Sequence, residues 1–320
     1  MGDVLGLALP FFGLIALGYV AAKVNPLPRA GLAWMNVFII YVSLPALFFN
    51  LLSRTPVEQL ASGGFIFATT FGTYLVFLLC FALGLLATGE VPRAAMQGLA
   101  GAYGNIGYMG PGLAIAAFGE AAVVPVALVF CFDNTLHFAM APFLMAVGGE
   151  GEPRPPLRLA ASVVWKIVSH PFILATIVGV AAAAIGFRPP EPVDRLLNYL
   201  AGAAAPCALF VMGVTVALAP RLSLPPALVW LTLVKLAVHP VLVWLLLGWV
   251  GAFEPLWVYS AVLLAALPTA ANVFVIAQQY DVWVDEASSM VVVTTIASVA
   301  TVTGLLYLMT TGSLPVDPFP

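Results

Sequence analysis

The residues of this sequence best suited to chemistry are ionisable side chains set within long apolar runs. Asp133 and His137 stand four residues apart in FDNTLHF, with Asn134 beside the aspartate, and Lys235 and His239 have the same spacing in VKLAVHP. On a helix this spacing places both side chains on one face. A charge at the bilayer centre costs about 2.5–3.5 kcal/mol on insertion scales, so such residues are candidates for function. We expect Asp133, Asn134 and His137 to handle a coupling proton or sodium ion. The alternatives are a structural hydrogen-bonded group and, for Lys235, a lysine that snorkels or pairs within the bundle.

Two stretches rich in glycine and proline predict breaks within otherwise apolar segments. The run GAYGNIGYMGPG, residues 101–112, carries five glycines and a proline, and LPTAANV, residues 267–273, carries Pro268. Proline lacks the amide donor, and glycine costs about 1 kcal/mol relative to alanine inside a helix. Unpaired backbone groups are tolerated at membrane depth only where protein or a water-filled cavity satisfies them. Two such breaks predict a midplane site in which helix N-termini face an anion and free carbonyls face a cation. The alternative is a pair of kinks that serve only close packing.

The elements that must position these residues are long apolar helices. Of the 320 residues, 62% are hydrophobic and 8% are charged, against roughly 25% charged in an ordinary globular domain. A spanning helix needs about 20 mostly apolar residues. We predict an all-α membrane protein with ten transmembrane helices, at residues 3–23, 33–52, 64–87, 93–118, 121–147, 166–187, 196–219, 226–250, 255–280 and 287–311.

The two halves of the chain repeat each other at a constant offset of 161 residues. The stretch PFFGLIALGYVAA from Pro10 matches PFILATIVGVAAA from Pro171. Further pairs at this offset are Phe11 with Phe172, Gly18 with Gly179, Pro28 with Pro189, Pro45 with Pro206 and Phe49 with Phe210. Five helices are an odd number, so the second copy enters the membrane in the opposite sense, as in many secondary transporters. We therefore predict two inverted five-helix repeats, residues 1–147 and 163–320, joined by a short cytoplasmic linker at 148–162, with broken, crossing helices 4 and 9.

Lysine and arginine are distributed unequally between the two sides of this topology. One side holds Lys23, Arg29, Arg93, Arg154, Arg158, Lys166 and Arg221, and the other holds Arg54, Arg188 and Arg195. Positive residues stay on the cytoplasmic side. This predicts a multi-pass protein of the cell inner membrane with both termini outside. Since no positive region precedes the first apolar run, we expect that run to be retained as a helix and not cleaved.

Several classes of function lack their motifs. No GxxxxGK[ST] nucleotide motif occurs, so a pump driven directly by ATP is not expected. His137, His170 and His239 form no HExxH pair and no GxSxG elbow is present, so we do not expect an enzyme. The three cysteines have no metal-binding spacing. We expect no metal and no cofactor, apart from a coupling proton or sodium ion.

Three stretches resemble the auxin efflux carrier family, whose bacterial members include malonate and malate carriers. They are GNIGYMGPGLAIAAFGE (104–120), LPTAANVFVIAQQYDV (267–282) and SLPALFFNLL (43–52), and the resemblance covers nearly the whole chain. It implies a scaffold bundle, a transport bundle with broken fourth and ninth helices that cross, and transport of organic anions. By motif it assigns Asn105, Pro111 and Asn272 to the substrate site at the crossover, and Gly107 and Pro268 in the same breaks complete it. The plant carriers usually have a crossover proline where this chain reads Asn272-Val273, and many have a long cytosolic loop that is absent here. Auxin is therefore a poor fit as the substrate.

We predict a secondary active transmembrane transporter of a small organic anion, a carboxylate, that works by alternating access through an elevator-like or rocking movement. The alternatives are a sodium-coupled symporter of the related bile-acid-carrier type and an anion channel, because broken helices also line pores. The expected partners are the anion and membrane lipid, with no nucleic acid, and a homodimer is compatible with the resemblance. The sequence leaves open the substrate identity, import or export, the form of coupling and the oligomeric state.

Overall fold

The structure, a computed structural model, describes residues 2–25, 31–56, 58, 62–149, 155–218 and 223–319. These residues form helices and connections, and no strand occurs among them. The helices are α1 (Gly2–Val24), α2 (Leu32–Leu52), α3 (Gly63–Thr88), α4 (Val91–Ala102), α5 (Gly110–Phe118), α6 (Glu120–Val147), α7 (Pro156–Val168), α8 (Pro171–Ala184), α9 (Glu191–Ala217), α10 (Pro226–Val250), α11 (Pro255–Ala265), α12 (Ala271–Tyr280) and α13 (Val284–Thr310). The predicted all-helical class is confirmed.

Six of these helices are long and apolar enough to cross a membrane, judged by length and composition over the described residues: α2, α3, α6, α9, α10 and α13. Shorter apolar helices lie at Leu9–Val24, Ile173–Ala184 and Pro255–Ala265. The fourth and ninth predicted spans are each divided, because α4 ends at Ala102 before α5 begins at Gly110, and α11 ends at Ala265 before α12 begins at Ala271.

The helices pack in two groups. In the first helix group α1 lies against α9, and α2 packs against both α8 and α9. In the second helix group α3 packs against α4, α6 and α10, α10 packs against α11, and α12 packs against α13. The short helix α5 touches members of both groups.

Helices α1 and α9 cross with their backbones in direct contact. A β-carbon added at Gly18 would overlap the carbonyl oxygen of Phe210, and one added at Gly213 would overlap the carbonyl oxygen of Ile15. Only glycine allows backbones to approach so closely, as in small-residue helix interfaces of membrane proteins. The first helix group is therefore held together by contacts that leave no space for a side chain.

Two of the long helices contain a π-helical turn that ends two residues before a proline. The turn Ile39–Ser43 in α2 precedes Pro45, and the turn Val234–Val238 in α10 precedes Pro240. Proline removes a backbone donor and its ring collides with the carbonyl four residues earlier. A wider turn is one way to accommodate that ring, and π-turns are frequent at functional sites.

The predicted sixth span, residues 166–187, is wrong as a single helix. Helix α7 ends at Val168, and α8 begins at Pro171 after His170 adopts an extended backbone with ψ of 130°. A residue before proline is driven out of the helical region by the proline ring. The interruption makes α7 a separate helix, and its Leu157, Val164 and Trp165 side chains are exposed.

Part of the predicted linker, residues 150–154, lies outside the described residues, as do Pro28, Arg29 and Arg221.

Candidate functional site

The two chain breaks meet and are joined by backbone hydrogen bonds. The amide of Asn105 donates to the carbonyl of Pro268 at 2.7 Å, and the amide of Ala270 donates to the carbonyl of Tyr103 at 2.9 Å. Together they form an antiparallel bridge centred on Gly104 and Thr269. The backbone groups at each break have no hydrogen-bond partner within a helix. The two breaks therefore supply hydrogen-bond partners to each other.

Side chains form hydrogen bonds with three further backbone groups at this crossover. The Thr269 hydroxyl donates to the carbonyl of Ala100 at 2.8 Å, and the Thr269 amide donates to the Thr294 hydroxyl at 3.0 Å. The ammonium of Lys235 donates to the carbonyl of Ala265, in the last turn of α11, at 2.6 Å. A cation at the C-terminal end of a helix is stabilised by the helix dipole.

A side chain at Gly104 would press against two neighbours and require them to shift by a few tenths of an ångström. A β-carbon there would lie 3.2 Å from the carbonyl oxygen of Leu264 and 3.3 Å from Nζ of Lys235. Gly104 therefore has two roles: it disfavours helix at the break, and its lack of a side chain lets the ammonium of Lys235 lie close to the crossover.

The largest feature beside the crossover is a cavity of about 330 Å³, which we call the main cavity. Its walls come from the crossover, α6, α12, the middle of α2 and the start of α8; they comprise Ile40, Tyr103, Gly104, Asn105, Gly107, Tyr108, Phe130, Asn134, Phe138, Ala141, Pro142, His170, Ala270, Ala271, Asn272, Val275, Ile276, Gln279 and Tyr280. No lysine, arginine, aspartate or glutamate is among these described residues.

The N-terminal end of α12 forms part of the wall of this cavity. Ala270 caps the helix, Ala271 and Asn272 begin it, and all three line the wall. The first amides of a helix have no partner within the helix and carry roughly half a positive charge together. Asparagine side chains at positions 105, 134 and 272 add neutral hydrogen-bonding groups. This arrangement suits a small anion that is held without a permanently charged side chain.

Tyr103 connects three elements of the site. Its hydroxyl donates to Oδ1 of Asn134 at 2.5 Å and accepts a hydrogen bond from Nδ2 of Asn272 at 2.9 Å. Its ring stacks on the ring of His137, with 4.1 Å between centroids. No local motif marks Tyr103 as a site residue, because its role depends on partners in α6 and α12 that lie far away in the sequence.

A second polar network lies on the other side of the crossover and is fully buried. Thr73 donates to Oδ2 of Asp133 at 2.8 Å and lies 3.1 Å from Nε2 of His239, whose Nδ1 is 3.2 Å from Nζ of Lys235. The ammonium of Lys235 can only donate hydrogen bonds, and the carboxylate of Asp133 can only accept them. The bonds therefore run one way, from the ammonium to His239, from its Nε2–H to Thr73, and from the Thr73 hydroxyl to the carboxylate.

A small cavity of about 10 Å³ adjoins this network, and its lining includes Thr69, Thr73, Asp133, His239 and Gly104 of the crossover. That volume matches one water-sized particle. Oδ1 of Asp133 has no hydrogen-bond partner among the described residues. Asp133, which has one oxygen without such a partner, therefore lines a space that would hold a single water or ion.

The structure brings together most of the predicted site residues. Asn105, Gly107 and Asn272 line the main cavity. Pro268 is buried in the crossover, where its carbonyl binds Asn105. Pro111 is buried in the first turn of α5 and lines none of the cavities described.

The predicted ion-handling residues are divided between two places. Asn134 lines the main cavity, and Asp133 lines the small cavity on the far side of α6. His137 is buried against Tyr103, and its Nδ1 has no hydrogen-bond partner among the described residues. Neighbouring residues of a helix point about 100° apart, which separates the side chains of Asp133 and Asn134.

A second cavity of about 320 Å³ shares part of the main cavity's wall, including Tyr108 and Asn272. Its other residues come mainly from α2, α9 and α13, among them Asn36 and Met212, with Phe274 and Gln278 of α12. The Tyr108 hydroxyl donates to Oδ1 of Asn36 at 3.3 Å, and Nδ2 of Asn105 lies 2.8 Å from the sulfur of Met212. These contacts link the crossover to the first helix group.

Known proteins are similar in sequence to this chain over most or all of its length. The family described as "Membrane transport protein" matches residues 3–149 and 141–306. A relative from Rhizobium meliloti (strain 1021), described as "Putative malonate transporter", is 56% identical over all of both chains. An "Uncharacterized transporter" of Methanothermobacter thermautotrophicus is 26% identical over 89% of this chain and 91% of its own. "Uncharacterized transporter YfdV" of Escherichia coli (strain K12) is 21% identical over 93% of this chain and 95% of its own.

These relatives give no support to the bile-acid-carrier alternative, and they are transporters and not enzymes. Together with the apolar helices, they make this chain a multi-pass membrane transporter. The chain belongs to the membrane transport protein family, the auxin efflux carrier family that its motifs resemble.

Proposed function

We propose that this protein is a secondary active transporter that carries a small carboxylate by alternating access. The observation that carries this proposal is the main cavity, whose wall is built from both chain breaks and the N-terminal end of α12. A carboxylate there accepts hydrogen bonds from the first amides of α12 and from asparagine side chains at positions 105 and 272. The residues proposed for the substrate are Asn105, Gly107 and Asn272 at the wall, with Pro111 and Pro268 holding the breaks.

Malonate is the first substrate to test. The relative that is 56% identical over the full chain carries that compound in its description. The main cavity is far larger than a small dicarboxylate and has aromatic side chains at Tyr103, Tyr108 and Phe138, so longer carboxylates belong in the same test.

An inverted repeat underlies the proposed movement, with the domains at 1–147 and 163–320, ten spans, and crossing fourth and ninth helices. One pair of contacts supports it. Gly18 meets Phe210, and Gly179 meets Phe49 with 3.4 Å between its added β-carbon and the Phe49 Cα. Exchanging each residue for its equivalent at the offset of 161 turns the first contact into the second. Two such symmetric contacts are what inverted repeats would produce.

The two helix groups are the proposed moving parts. Ile40 and His170 from the first helix group face the crossover residues across the main cavity. A scaffold formed by α1, α2, α8 and α9 would stay fixed, while the second helix group moves with its crossover and substrate. The polar contacts of Tyr108 with Asn36 and Asn105 with Met212 would break and reform in each cycle.

Asp133 is the proposed coupling residue, for a proton or a sodium ion. Asp133 lines the small cavity, one of its carboxylate oxygens has no hydrogen-bond partner among the described residues, and the other ends the chain of hydrogen bonds from Lys235. Asn134 and His137 are proposed to transmit its state to the main cavity through Tyr103. We further propose that the protein lies in the cell inner membrane with both termini outside.

Reconstituted protein tests the proposal. Liposomes loaded with unlabelled malonate should accumulate labelled malonate by counterflow, which a carrier performs and a channel does not. Asn272→Ala should reduce the apparent affinity by about tenfold or more, because a hydrogen bond to a charged group contributes about 1.5–3 kcal/mol.

The matched control is Asn198→Ala, an exposed asparagine of α9 that lines neither cavity. Counterflow with no carboxylate of a mono- and dicarboxylate series would contradict the proposed substrate class. Equal loss in the two variants would move the binding site away from the crossover.

A further inference from the structure

A third cavity lies on the outside of the molecule, between α1, the end of α9 and α13. This groove has a volume of about 520 Å³. It is lined mostly by apolar side chains, such as Ile15 and Val20 of α1 and Ile296 and Val299 of α13. Val20 and Ile296 are more than half exposed. The groove is therefore open to the surrounding lipid.

The length of the groove matches one leaflet of a bilayer. Along α1 it runs from Phe12 to Lys23, which lies in the last turn of that helix. At about 1.5 Å per residue this is roughly 16 Å, or about half of a hydrocarbon core of about 30 Å. One end of the groove thus lies near a membrane surface and the other near the midplane.

The surface end of the groove carries its single charge. Lys23 is the only ionisable residue besides Tyr19 among the described residues of its lining. The ammonium donates one hydrogen bond to the carbonyl of Ala217 at 2.9 Å and lies 5.5 Å from the centroid of the Tyr19 ring. These contacts fix the direction of the side chain and use one of three protons.

We propose that this groove binds an anionic phospholipid, with one acyl chain along α1 and α13 and the phosphate hydrogen-bonded to Lys23. The apolar wall, the depth of one leaflet and a cation at the surface end complement an acyl chain and its phosphate. The groove also joins the first helix group, through α1, to the second, through α13. A lipid bound there contacts both helix groups. This lipid site does not depend on which substrate the protein carries.

Native mass spectrometry of protein released from nanodiscs tests this site. The nanodiscs contain equimolar phosphatidylglycerol and phosphatidylcholine, and the retained lipids are counted. Wild-type protein should retain phosphatidylglycerol in preference by about fivefold, the factor that one lysine contributes at an anionic surface. Lys23→Ala should lose that preference, whereas Arg158→Ala, an exposed cation of α7 outside the groove, should keep it.

A second pair of variants tests the acyl-chain part of the groove without altering the charge. Ala16→Trp places a large side chain within the lining, and Leu17→Trp places the same side chain on the neighbouring, 62% exposed position outside it. Ala16→Trp should lose the retained lipid and Leu17→Trp should keep it. Equal retention by these two variants, no preference for phosphatidylglycerol in the wild type, or a groove covered by a second copy of the chain would overturn the proposal.

Discussion

Replacing Gly213 with alanine should separate α1 from α9 and destabilise the protein. The added methyl group would overlap the carbonyl oxygen of Ile15, and its next neighbours would be the Ile15 carbonyl carbon and the Tyr19 amide nitrogen. All of these are backbone atoms, which cannot rotate away as a side chain can. The two helices must therefore move apart along their crossing.

The size of the effect follows from two opposing contributions. Overpacking of a closed interface costs typically 1–3 kcal/mol. Alanine is better than glycine within a helix by about 1 kcal/mol. Gly202, also on α9, isolates the second contribution, because a β-carbon there meets nothing within 4 Å. Gly202→Ala should therefore stabilise the protein, whereas Gly213→Ala should destabilise it, with a difference of roughly 1–3 kcal/mol between the two, because the gain from alanine is common to both variants and cancels.

Thermal unfolding in detergent measures this difference. For a chain of this size 1 kcal/mol shifts the midpoint by roughly 2 °C, so the two alanine variants should differ by roughly 2–6 °C. Unfolding of membrane proteins is commonly irreversible, so both are compared at one heating rate. Gly18→Ala should reproduce the loss from the other helix, and the double variant should lose less than the sum, because one separation relieves both contacts.

Equal midpoints for Gly213→Ala and Gly202→Ala would refute the reasoning. They would mean that α1 and α9 do not cross in backbone contact.

Three further predictions concern the crossover and its networks. Tyr103→Phe should weaken malonate binding, measured by thermal shift, by about tenfold in the wild type and not at all in Asn272→Ala, because the hydroxyl acts through that asparagine; equal losses in both backgrounds would contradict this. Asp133→Asn should abolish the response of uptake to an imposed proton or sodium gradient while leaving counterflow intact, and an unchanged gradient response would exclude the coupling role. Gly104→Ala should lower the transport rate at equal expression, because its methyl group meets Nζ of Lys235 at 3.3 Å; full activity would show that this contact can relax.

The sequence alone predicts the chain breaks, because their cause is local. The glycines between residues 101 and 112 and Pro268 disfavour helix wherever they stand, and the structure ends α4 and α11 there. The break at His170 carries the same kind of signal, an X–Pro pair. The long apolar run on both sides of it leads to a single predicted span, and the structure has two helices.

The contacts of the site are harder to foresee, because they depend on residues far apart in the chain. Asp133 and Asn134 are adjacent in sequence, yet they line different cavities. Tyr103 reads as part of a glycine-rich run, and only packing against α6 and α12 places its hydroxyl between two asparagines. For Lys235 the sequence favours a side chain that snorkels or pairs within the bundle; its complete burial excludes snorkelling, and its contacts with His239 and Ala265 are those of a paired lysine.

The crossover also fixes the order in which parts of this protein can fold during synthesis in the membrane. The hydroxyl of Thr269 and the carbonyl of Ala100 are 169 residues apart in the chain, so the first half is made long before its partner exists. Until then the backbone around Tyr103 and Asn105 has polar groups that lipid cannot satisfy. The nascent first half must stay beside water or other proteins, and a ribosome that stops before residue 266 releases a chain in which the crossover cannot form.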